Sequence, residues 1–109
     1  MTTHTLNVRI TGFTDSNFPG WVECILRDAE GHEWTIRDKL PIFTKAPLNA
    51  RSVYPQPGVI ACVIVRQWVD DSGRVRCIIG TERPWGVFAK DGQTQFEVFL
   101  DQLTAEASE

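Results

Sequence analysis

The chain has 109 residues, 42% hydrophobic, 23% charged and 10% aromatic, and a formal net charge of −3 at neutral pH. That length fits one domain, able to bury roughly two-thirds of its unfolded surface without disulfides or metal. Normal apolar content without heptads or triplets excludes disorder, coiled coil and collagen, and the longest strongly apolar run, Val59 to Val65, is too short for a membrane helix.

Leu6, Val8 and Ile10 alternate with Asn7, Arg9 and Thr11, which predicts a half-buried strand and reads as folded domain, not as a signal peptide. Asp15 to Gly20 is a turn-rich break, and Trp21 to Arg27 is the next strand, with Val22, Cys24 and Leu26 on one face. Asp28 to Gly31 has hairpin length, and His32 to Arg37 gives a third strand.

Residues 41–57 carry Pro41, Pro47, Pro55 and Pro57, which argues against a central strand there. Pro47 suits the first turn of a short helix over Leu48 to Val53. Val59 to Val69 is the strongest strand signal, apolar on both faces in its first half. After the turn at Asp70 to Gly73, Arg74 to Ile79 returns. Val87 to Lys90 and Thr94 to Phe99 then form a final hairpin around Asp91 and Gly92. Asp101 is placed to cap a helical turn through Leu103.

Six to seven short strands and no long helix predict an all-β fold. The expected architecture is a small single-domain β-barrel of the OB or SH3-like sort over residues 1–103, with a frayed tail at 104–109. A compact β-sandwich is the second choice.

Three widely separated cysteines, Cys24, Cys62 and Cys77, lie in apolar runs without a CxxC pair, which predicts reduced core thiols and a cytoplasmic protein. His4 and His32 lack the close partners of a metal site and are expected at the surface. No serine sits in a GxSxG elbow, no glycine pattern cradles phosphate, and the adjacent Asp70 and Asp71 belong to a turn. The expectation is a protein that is not an enzyme and needs no cofactor or metal.

A surface is what remains. Trp34 and Phe96 are assigned to the core. Phe18, Trp21 and Trp85, framed by Pro and Gly, either plug the barrel ends or stand at its rim as partner anchors. In the hairpin, a three-residue Asp71-Ser72-Gly73 loop would pair Asp70 with Arg74, Val69 with Val75, Trp68 with Arg76, Gln67 with Cys77 and Val65 with Ile79. That register faces an outward Trp68 with Arg76 in cation–π contact and gathers Arg66 and Arg74 nearby, a basic-aromatic patch on an acidic chain.

The partner-binding residues expected from sequence are therefore Trp68, Arg66, Arg74, Arg76, Trp85 and Trp21. The functional expectation is a non-catalytic module acting by protein–protein contact, with a basic partner; one concrete form is an immunity-type inhibitor of a basic toxin or nuclease. The acidic balance weighs against nucleic acid and anionic membranes. The alternatives are an OB-like single-strand nucleic-acid binder using Trp68, Arg66 and Arg76, and a small-ligand protein or enzyme with a pocket under the 41–57 loop.

Overall fold

The computed structural model describes residues 3–105. Strands β1 (Thr3–Asp15), β2 (Trp21–Arg27) and β3 (Glu33–Lys39) form an antiparallel meander. After a four-residue helix, α1 (Leu40–Phe43), the chain returns as β4 (Gln56–Val69) beside β1 and continues through β5 (Val75–Gly80) and β6 (Gln95–Phe99). A 3-10 turn (Leu100–Gln102) leads to β7 (Leu103–Ala105), which pairs with the start of β1. The order β3-β2-β1-β4-β5-β6 makes a curled six-stranded half-barrel. Its first four strands trace a Greek key, the connectivity of OB-type barrels. Among the described residues no helix is long and apolar enough to cross a membrane.

Alternation places the core. Leu6, Val8 and Ile10 of β1 point inward with Val22, Cys24 and Leu26 of β2 and Ile60 and Cys62 of β4. An extra residue in β1, Thr11, lies between the Ile10–Cys24 and Gly12–Glu23 pairs. This bulge shifts the side-chain phase so that Phe13, opposite buried Val22, still packs against the core. Gly58 is fixed by close approach: a Cβ there would meet Ile10 Cδ1 at 2.9 Å and the Phe43 carbonyl oxygen at 3.3 Å.

Backbone bonds tie the two halves of the curl together. The Ala29 amide, in the β2–β3 turn, donates to the Glu97 carbonyl of β6 (2.8 Å), and the Lys90 amide donates to the Thr35 carbonyl of β3 (2.9 Å). Trp34 and Phe96 meet edge to face across this seam at 5.5 Å.

Several local expectations need correction. No helix forms over Leu48 to Val53, because Asn49 and Ser52 satisfy this backbone by side-chain turns; α1 lies earlier, with Pro41 in its first turn. Pro57 does enter a central strand, opposite Arg9, at a point where β4 has a strand neighbour on one side only. Val87 to Lys90 is not a strand: buried Val87 and Ala89 hold it against the core while Lys90 bonds to β3. Asp101 caps nothing and instead binds Arg74 at 3.0 Å. The tail assignment also moves, since Thr104 and Ala105 belong to β7; residues 106–109 lie outside the described residues.

Candidate functional site at the hairpin end

The β4–β5 turn adopts the expected three-residue form. The Asp70 amide donates to the Arg74 carbonyl (2.8 Å), and Gly73 takes a φ of +84°, the left-handed conformation that favours glycine. Asp70 Oδ1 accepts from the amides of Ser72 and Arg74 and from the Ser72 hydroxyl, so one carboxylate oxygen builds the turn. The register pairs Val69 with Val75, Trp68 with Arg76 and Gln67 with Cys77, as the sequence implies. It breaks at Val65, which bulges out of the ladder, so that Ile64, not Val65, lies opposite Ile79.

The other Asp70 oxygen, Oδ2, accepts from Arg76 Nε at 2.7 Å. Arg76 Nη1 donates to Glu30 Oε1 (2.8 Å) and Glu97 Oε2 (2.9 Å). One guanidinium thus bridges the hairpin, β6 and the β2–β3 turn. Arg76, with the Ser72 hydroxyl second, holds the Asp70 carboxyl well below the usual carboxylate range. The three acids, Asp70 foremost, in turn raise the Arg76 value further above its ordinary one.

Beside this network lies an open hollow of about 550 Å³ walled by Trp68, Val69, Asp70, Asp71, Glu30 and Glu97, with Arg76 as its one cation. The expected basic-aromatic patch is therefore corrected. Trp68 does face Arg76 across the strands, but the cation over its indole is Arg66, at 4.7 Å. Arg76 sits among carboxylates and over Phe99 (4.9 Å), and Arg74 lies over the same Phe99 ring at 3.4 Å.

Trp21 and Trp85 stand elsewhere. Trp21 begins β2, paired with Asp15 and Lys39, its ring flanked by Arg37 (5.0 Å) and Lys39 (5.8 Å). Trp85 follows Gly80, at the end of β5 remote from the hairpin tip, and is 64% exposed. Phe18 is 96% exposed, so Phe18 and Trp85 occupy the rim and do not plug the barrel. Glu30, Glu97 and Phe99 were not picked out from the sequence, and Asp71 was read there only as part of a turn. Their only signal there is charge or aromaticity, which the folded turn and β6 convert into proximity.

Other groups with chemical potential are sheltered. Cys24, Cys62 and Cys77 are buried and form no disulfide. Burial, aided by Glu23 and Asp38, pushes the Cys24 thiol up to about 12, and burial also raises Cys77; both are protonated at neutral pH and poor nucleophiles. His4 is not a surface residue: it is half-buried on the inner face opposite Cys62, its Nδ1 enclosed, whereas His32 is exposed and edge-on to Trp34. Among the described residues no three His, Cys, Asp or Glu side chains are grouped to hold a metal. Under the 41–57 loop the interior is filled by Phe43 and Ile10, leaving an open groove of about 450 Å³ between α1 and β4.

No family model matches the chain, and neither a curated protein nor a solved structure is detectably similar to it.

Proposed function

We propose that this protein is a non-catalytic binding module that acts through protein–protein contact, and that its partner is basic. The supporting observation is the hollow beside Trp68, where Glu30, Asp70, Asp71 and Glu97 surround a single guanidinium. Arg76 already serves three of those acids, and Asp71 has no ion pair among the described residues. A Lys or Arg side chain entering the hollow meets unbalanced negative charge and the edge of an indole, a favourable setting for a cation. A phosphate backbone would meet the same field as repulsion, which sets the nucleic-acid reading behind. An inhibitor that masks a basic toxin or nuclease is the concrete form of this proposal, since opposite charge also speeds encounter.

The test is a fluorescence titration at low salt with hepta-arginine, hepta-glutamate and an oligothymidylate, with Trp68→Phe assigning the signal among four tryptophans. We expect saturable, salt-sensitive binding of hepta-arginine alone, weakened several-fold by Asp71→Asn. Silence towards hepta-arginine, or binding of either anionic probe, would discard the proposal.

A further inference from the structure

The strand path ends at β3 on one side and β6 on the other, and among the described residues no ladder joins these two edges. Isolated contacts hold them instead. Two backbone bonds cross this seam among the described residues, Ala29 to Glu97 and Lys90 to Thr35, with the Trp34–Phe96 ring contact beside them. Gln102 Nε2 adds a bond to the Arg27 carbonyl at 2.8 Å. Glu97 belongs to both the seam and the hollow: its carbonyl accepts the Ala29 amide, while its carboxylate accepts from Arg76 Nη1. Glu30, the residue after Ala29, accepts from the same nitrogen. Arg76 therefore fastens the seam at the point where the hollow opens.

We propose that a partner's cation entering the hollow tightens this seam, so that binding and barrel closure are coupled; this rests on the reading of the hollow as a cation site. Charge sets the direction. Four carboxylates, Glu30, Asp70, Asp71 and Glu97, surround one guanidinium, which leaves an excess of three negative charges spread over the β2–β3 turn, the β4–β5 turn and β6. Their repulsion works against the Ala29–Glu97 bond, because Glu30 and Glu97 flank it, and Arg76 offsets that repulsion only in part. A second cation reaching Glu30, Asp71 and Glu97 removes the opposition and ties the three elements together.

Coupling requires that the two forms differ in affinity. Opening the seam carries Glu30 away from Glu97, so the open form offers a cation fewer carboxylates at once. The closed form is therefore the one that binds. By linkage, whatever loosens the seam weakens binding to the same degree, even from outside the hollow.

Native-state hydrogen exchange of the full chain, resolved amide by amide by NMR, tests this. Saturating hepta-arginine should slow exchange at Ala29 roughly threefold or more. The Leu40 amide, bound to the Gly20 carbonyl at the opposite end of β2 and β3, should keep its rate. Gln102→Met removes the link to Arg27 without touching the wall of the hollow, and should weaken hepta-arginine binding about threefold. Asp71→Asn removes a charge but none of the three partners of Arg76, and should by itself slow Ala29 exchange about twofold in the free protein. Hepta-arginine that binds while Ala29 exchange stays the same, an undiminished affinity in Gln102→Met, or an unaltered Ala29 rate in Asp71→Asn overturns the coupling and leaves the cation-site reading standing. Absence of hepta-arginine binding removes both.

Discussion

Two tryptophans sit beside arginines at separate places in the sheet, and their surroundings differ. At Trp21, Arg37 and Lys39 lie over the ring, Arg37 donates to Thr14 Oγ1 at 3.1 Å, and its guanidinium reaches the Asp15 carboxylate only at 4.0 Å. At Trp68, the facing arginine is held by three carboxylates within 3.0 Å, drawn from the β4–β5 turn, β6 and the β2–β3 turn. The same residue types thus give a loosely held cationic surface in one region and an acid-dominated hollow in the other. What separates them is the third element that the curl of the sheet brings in, not the strand pair that carries the indole.

The largest expected break of this contrast is Arg76→Met. It leaves Asp70, Glu30 and Glu97 facing one another without a cation, and a fall in melting temperature of roughly 5–10 °C is expected for a domain this size. Arg37→Met removes a half-exposed pair and should shift the same melt by no more than about 2 °C. Comparable shifts from the two substitutions would show that Arg76 has no special place.

A smaller effect follows from pH. Because the folded-state value of Asp70 is depressed, its contribution to stability is complete above the ordinary aspartate range, near 4, and is lost as pH falls from there towards the folded-state value. Denaturant midpoints of the wild type and Asp70→Asn should differ at pH 7 and converge below about pH 4. A gap that persists unchanged in acid would mean that the turn geometry, not the charge, carries the stabilisation.

The smallest stability effect is expected at the indoles themselves. Trp68→Ala removes a half-buried ring sheltered by the Arg66 guanidinium and should cost about 1 kcal/mol or less. It should nonetheless abolish hepta-arginine binding, whereas Trp21→Ala should leave that binding intact. Loss of binding in both variants would erase the distinction between the two regions.

Much of the hairpin was legible because its determinants are local. Gly73 supplies the left-handed residue and Asp70 the side-chain acceptors, so the pairing of Trp68 with Arg76 follows from the turn alone. The reading lost phase at Val65, where the bulge has no signature in a run of Val and Ile. It misjudged the charge of the patch because Glu30 and Glu97 are distant from Arg76 in sequence. It misplaced the helix because Pro41 and Pro47 both satisfy a first-turn rule, and only packing of Leu40 and Phe43 into the core selects the earlier one.

The sequence alone settled the all-β class, most of the strands and the turn that sets the hairpin register, since alternation, turn glycines and Asx side chains act over a few residues. Tertiary structure alone decided the sign of the field around Trp68 and the exposure of Phe18, Val65 and Trp85. Each of these depends on which distant segments the half-barrel brings together, and Coulomb interaction and solvent exclusion act through space without regard to chain order.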